Sequence, residues 1–136
     1  MKAKLIRATV MLLALIVFVS CELSNDDSRN CSAIIGVPTT AVTGPIAASV
    51  NEEINLSVSY KIATACGDFY AFNVVPTTTI NEKIITVYNT YDACNCDNVY
   101  TTESEPFKFK AAAEGVYTLK FRTTDTTFVT HVVTVE

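Results

Sequence analysis

The side chains best suited to chemistry in this 136-residue chain crowd between Asp92 and Glu105. Cys94-Asn95-Cys96 sets two thiols one residue apart. Asp92, Asn95, Asp97 and Asn98 lie around them, with Glu103 and Glu105 just beyond. Paired thiols can shuttle electrons, with Cys66 as a resolving partner. Redox pairs, however, are usually Cys-x-x-Cys at a helix N-terminus, where the dipole lowers the thiol pKa, and this segment reads as a strand end or loop. The four thiolates Cys31, Cys66, Cys94 and Cys96 could hold zinc tetrahedrally, but only one Cys-x-Cys arm is present and the other two cysteines stand apart. Calcium takes six to eight oxygen ligands. The spacing here matches no established calcium loop, and a solvated acidic loop is the commoner outcome. The reading therefore assigns no metal and no cofactor.

His131 is the single histidine, and it sits in a strand pattern with Val129 and Val133 on its own face. Catalysis would need a nucleophile and an orienting carboxylate to converge on it. No Gly-x-Ser-x-Gly elbow or His-Glu-x-x-His supplies them, so His131 reads as a strand residue beside the core and the protein as a non-enzyme. Tyr60, Phe69, Tyr70, Phe72, Tyr88, Tyr91 and Tyr100 supply many rings. Rings stacked on sugars are a common glycan-binding device, and Tyr88, Tyr91 and Tyr100 are the candidates for exposed binding rings. The rest read as core. In the strand over 69–75, alternation puts Phe69 and Ala71 on one face and Tyr70 and Phe72 on the other.

These residues need a scaffold, and the length permits one domain. Lys2, Lys4 and Arg7 precede an apolar run from Ala8 to Val19 that is broken only by Thr9. About a dozen apolar residues fall short of the ~20 that a spanning helix needs. The run ends at a small residue, Ser20, and a polar stretch follows Cys21, which is the secretory pattern. The formal charge of −4 includes three cations from this leader, so cleavage before Cys21 leaves seven Lys and Arg against fourteen Asp and Glu, or −7. Such a balance argues against a nucleic-acid groove, which needs clustered cations.

Phe18-Val19-Ser20-Cys21 resembles the lipobox of bacterial lipoproteins, with Phe18 in place of the usual Leu. The resemblance implies a signal peptide over 1–20 and acylation of Cys21, whose several acyl chains would anchor the protein to the membrane. The stretch over 21–32 then reads as a flexible acidic tether. Its early carboxylates resemble the signal that places Bacteroidota lipoproteins on the outer face of the outer membrane. With Cys21 given to lipid, four cysteines remain in an exported domain and read as two disulfides. A Cys94–Cys96 bond would close a strained ring. One of these two therefore bonds Cys66 and the other Cys31, in an order the sequence leaves open.

From Ala33 onward the pattern has period two. Ile54, Leu56, Val58, Tyr60 and Ile62 alternate with polar residues, as do Phe107 and Phe109, and Tyr117, Leu119 and Phe121. Further strands are predicted over 33–37, 69–75, 83–91 and 128–135, with turns at Pro38, Gly44-Pro45, Cys66-Gly67, Pro76 and Glu114-Gly115. About seven short strands without a helical period predict an all-β antiparallel sandwich over 33–136. Thr43-Gly44-Pro45 followed by Val50 to Val58 resembles the opening strands of bacterial immunoglobulin-like domains. Glu114-Gly115-Val116-Tyr117 resembles their sixth strand, which implies a tyrosine corner at Tyr117. The Cys-Gly-Asp-Phe and Cys-Asn-Cys segments look like those of small Bacteroidota lipoproteins.

The reading that follows is a lipid-anchored envelope module presenting loops or a sheet face to a glycan or an envelope protein. A protease inhibitor resembling the chagasin family is a second class, although Glu105-Pro106-Phe107 echoes only part of one of that family's loops. A redox or metal carrier built on Cys94 and Cys96 is a third. Asp125-Thr126-Thr127 resembles the motif at which Bacteroidota O-glycosylate exported proteins, which makes Thr126 a candidate modification site.

Overall fold

The computed structural model describes residues 32–92 and 96–136. The expected signal peptide over 1–20, the expected lipidation site Cys21, the expected tether as far as Cys31, and Cys94 and Asn95 lie outside the described residues. Nine strands follow one another: β1 (Ser32–Val37), β2 (Thr39–Thr43), β3 (Ala47–Ala48), β4 (Glu53–Ile62), β5 (Gly67–Pro76), β6 (Glu82–Asp92), β7 (Thr101–Lys110), β8 (Gly115–Arg122) and β9 (Phe128–Val135). No described residue is helical. The strands form two sheets packed as a sandwich, β2-β4-β7 against a six-stranded sheet centred on β6. The two strands beyond the seven expected, β2 and β3, are short Thr- and Ala-rich stretches without apolar alternation.

Alternation places the core. Ile54, Leu56, Val58, Tyr60 and Ile62 all face inward from β4, against Ile85 and Val87 of β6 and Leu119 and Phe121 of β8. Each fully buried aliphatic or phenyl side chain contributes ~1.5–3 kcal/mol by leaving water. Edge-to-face contacts run from Phe72 through Phe107 to Phe121, with ring centroids 5.2 and 5.4 Å apart.

One expectation for β5 is corrected. Phe69 and Phe72 lie on the same inward face, 5.0 Å apart, instead of on opposite faces. A register shift between Phe69 and Ala71 adds one residue to the strand, and a bulge of that kind reverses the alternation beyond it. Tyr70 is thereby left exposed.

Most ladders are antiparallel, but β6–β8 and β3–β9 run parallel. The first of these shapes the candidate site. Along one edge of β6, the pairing with β8 ends at Ile85↔Phe121, and from Val87↔Val37 onward the same edge pairs antiparallel with β1. At Pro38 the chain then leaves the large sheet, and β2 begins in the small one. The Pro38 carbonyl accepts the Lys61 N–H at 3.1 Å, which ties the crossing to β4.

The implied tyrosine corner is present. Tyr117 Oη donates to the Ala113 carbonyl at 2.9 Å. Gly115 opens the strand with φ +146°, a conformation that favours glycine, and a Cβ there would lie 3.0 Å from Asn81 Nδ2. At the free edge of the small sheet, β7 carries Pro106 and turns Glu103 and Glu105 inward opposite Tyr60 and Val58. Proline and inward charges both discourage edge-to-edge pairing.

Candidate functional site: two clefts sharing one wall

Gly36, Val37 and Pro38, at the crossing between sheets, line two clefts, one on each side. The first lies on the outer face of the large sheet and has a volume of about 500 Å³. Thr86 and Tyr88 of β6, Asn73 of β5, and Arg122, Thr124 and Asp125 at the end of β8 surround it. Because Ile85, Val87 and Asn89 point into the core, Thr86 and Tyr88 must point out.

Arg122 arrives where the β6 edge changes partners. Its Nε donates to Thr86 Oγ1 at 3.3 Å, its Nη1 donates to the Asp125 carbonyl at 3.0 Å, and its guanidinium lies 5.5 Å from the Phe128 ring centroid. The guanidinium is thus held in place beside the groove. Tyr88 pairs across the strands with Gly36, and a Cβ on Gly36 would sit 3.8 Å from the Tyr88 ring. The ring lies across β1 at ordinary van der Waals distance and lines the groove. On the same outer face, Lys120 Nζ meets Glu82 at 2.8 Å. The hydrogen bond from Lys120 holds the Glu82 carboxyl below the usual carboxylate range, against an opposing effect of partial burial.

The second cleft opens between the sheets and has a volume of about 460 Å³. Ile35, Val37, Ile62, Ala63 and the rings of Tyr91 and Tyr100 line it, with Lys61 and Cys96 at its margin. Cys96 is bonded to Cys66, with a Cα–Cα distance of 5.8 Å. That bond fastens the segment after β6 to the β4–β5 turn, and the Ala65 N–H adds a bond to the Asp97 carbonyl at 3.1 Å. Ile35 is 50% exposed and Tyr100 80% exposed, so the apolar lining faces water. Tyr91 packs its ring on Gly67, where a Cβ would come within 2.7 Å of the ring.

Behind this cleft lies Asn89, 0% exposed, with neither amide atom partnered among the described residues. It stands two residues from Tyr91 and opposite Ile35 and Phe69. Leaving such a group unpaired costs ~1–3 kcal/mol. Nearby, burial raises the Tyr60 phenol to about 12, and the charges of Glu105, Glu103 and Asp68 add to the shift.

The sequence-nominated residues are therefore divided. Tyr88 lines the outer groove, whereas Tyr91 and Tyr100 line the inner cleft, so the three do not form one aromatic platform. Of the four candidate disulfide cysteines, Cys66 and Cys96 are joined. Among the described residues, no group of three or more His, Cys, Asp or Glu could hold a metal ion. His131 Nε2 donates to the Pro45 carbonyl at 3.0 Å, since a carbonyl can only accept. Glu105-Pro106-Phe107 lies inside β7 with Phe107 buried, so it is not a loop.

Thr126 is exposed in the β8–β9 hairpin. That turn is held by Thr123 N–H to Thr127 carbonyl at 2.9 Å and by the Thr124 and Thr127 hydroxyls at 2.7 Å, none of which uses the Thr126 hydroxyl. Sequence reasoning missed Arg122, Asn73, Ile35 and Lys61, because each looks like an ordinary strand residue until the strands are assembled.

Fold and site together define an all-β two-sheet sandwich with paired clefts at the β1–β2 crossing. Comparison with protein-family models, curated proteins and solved structures finds no match for the chain.

Proposed function

We propose that this protein is a non-enzymatic, lipid-anchored binding module of the bacterial envelope that takes a saccharide in its outer groove. The observation that carries the reading is the Tyr88 ring set among Asn73, Thr86, Arg122 and Asp125 in one open groove. An aromatic face stacks on the C–H side of a sugar ring, while amide, guanidinium and carboxylate groups bond its hydroxyls. Arg122 is already fixed through Thr86 and Asp125, so little side-chain freedom is lost on binding. The lipobox-like Phe18-Val19-Ser20-Cys21 supports acylation at Cys21, and the acidic stretch after it supports display at the outer membrane surface. With Cys66 and Cys96 joined, the expected second disulfide falls to Cys31 and Cys94. Thr126, exposed beside the groove, is the proposed O-glycosylation site.

The test is binding of the full chain to an immobilised panel of bacterial and host glycans, with Tyr88→Ala and Asn73→Ala beside the unaltered protein. Saturable binding weakened about tenfold or more by Tyr88→Ala, with the β-sheet circular dichroism retained, is the expected result. Absence of binding across the panel, or binding indifferent to Tyr88, overturns the saccharide reading.

A further inference from the structure

We infer that the inner cleft is a second and separate site, one that takes a single-chain fatty acid with its carboxylate at Lys61. The inference does not depend on the saccharide reading, because the two clefts open on opposite faces of β1 and β6.

The first support is chemical composition. Ile35, Val37, Ile62, Ala63 and the two tyrosine rings make the walls apolar, and the volume of about 460 Å³ falls within the roughly 300–1,000 Å³ typical of small-ligand sites. A core residue of an ordinary sandwich would be covered, yet Ile35, on the inward face of β1, remains 50% exposed. Water gains nothing from such walls, and a methylene chain removes them from water.

The second support is charge. Acidic residues outnumber basic ones in this chain, fourteen to ten. Among the described residues lining the cleft, however, Lys61 is the one formal charge, and no carboxylate lines it. Neither ion pair among the described residues involves Lys61: Lys108 is paired with Glu53 and Lys120 with Glu82. A site with apolar walls and one unpaired cation at its margin complements a monoanionic amphiphile. It does not suit a sugar, which would find few partners for its hydroxyls, nor a cation, which Lys61 would repel.

The third support is rigidity. The backbone N–H of Lys61 on the Pro38 carbonyl at 3.1 Å fixes the β4 backbone at one margin, and the Cys66–Cys96 bond holds the opposite margin. The cleft is therefore formed before any ligand arrives.

The test uses the full-length protein in membrane vesicles, photolabelled with a diazirine analogue of palmitate and mapped by peptide mass spectrometry. Labels are expected on the segments containing Ile35 to Pro38, Ile62 to Thr64 or Tyr100. Excess free palmitate should abolish them, while methyl palmitate and phosphatidylglycerol should not. Ile35→Asp should lower the labelling about tenfold and Lys61→Glu at least about threefold, as expected for a carboxylate set against an apolar chain and a reversed charge set against the head group. Both positions are exposed, and retention of the Cys66–Cys96 linkage in the same peptide maps verifies the fold. Labels elsewhere in the chain, labelling unmoved by free palmitate, or unchanged labelling of Ile35→Asp overturns the site. Equal competition by the methyl ester, or unchanged labelling of Lys61→Glu, overturns the role of the ammonium group.

Discussion

The outer groove and the inner cleft share Gly36, Val37 and Pro38 and differ in nearly everything else. One is lined by Thr, Asn, Arg and Asp residues around a single tyrosine, and the other by aliphatic residues, two tyrosines and one lysine. The difference comes from the pleat. Successive residues of β1 and β6 point to opposite faces, so a step of one residue, from Tyr88 to Asn89 or from Ile35 to Gly36, passes from one chemical environment to the other. Two clefts of unlike lining need no second domain where a strand leaves one sheet for another and exposes both of its faces. Glycine enters both sites in the same way. Tyr88 lies on Gly36 and Tyr91 on Gly67, each across a ladder, but the second contact is much the tighter.

The strongest way to break the comparison is to cut the clamp on one side only. Replacing Cys66 and Cys96 with Ser should cost about 2–4 kcal/mol in urea denaturation. It should also weaken fatty-acid labelling of the inner cleft while saccharide binding in the outer groove survives. Equal loss at both sites would show that the shared wall depends on the disulfide.

A smaller effect separates the two glycines. Gly67→Ala places a methyl 2.7 Å from the Tyr91 ring, which must move, at a cost of about 1–3 kcal/mol and with a disturbed inner cleft. Gly36→Ala meets Thr86 Cγ2 at 3.4 Å, an ordinary contact, and should change stability by less than about 1 kcal/mol. Paired thermal melts check both. Similar melting temperatures for the two variants would contradict the packing described for Tyr91.

The last pair of effects is in pH dependence, and the two lie at opposite ends of the scale. Glu82, on the outer face, has its carboxyl depressed by Lys120 from an ordinary 4.5. Its contribution is present above that value and is lost as pH falls through the lower folded-state value. Glu82→Gln should flatten the acid limb of a stability–pH curve. Tyr60, behind the inner cleft, is raised from 10.0 to about 12. Its neutral phenol favours the fold below pH 10, and that contribution is lost as pH rises toward 12, so Tyr60→Phe should flatten the alkaline limb. Ultraviolet titration should show a phenol ionising near pH 12 that Tyr60→Phe removes.

Much of the scaffold is legible in the residues. The five alternating apolar positions of β4 face inward as their spacing requires, and Tyr117 forms its corner beside Gly115. The bulge at Tyr70 is not legible, because no Gly or Pro marks it and it shows only in the register of β5 against β6. The candidate site is legible only in pieces. Aromatic type nominated Tyr88, Tyr91 and Tyr100 together, but the parity that parts the first two is a property of register, and Tyr100 comes to Tyr91 through the fold around Cys96.

The sequence by itself determined what alternation and composition control: an all-β chain, its principal strands and an acidic balance. These depend on neighbours a few residues apart. Tertiary structure alone decided that Cys66 meets Cys96, that β6 changes partners after Ile85, and that Arg122 and Asn73 arrive in one groove. Those outcomes join residues tens of positions apart. They are set by which sheet pairing buries the most apolar surface without clash, a comparison among whole folds that no local pattern encodes.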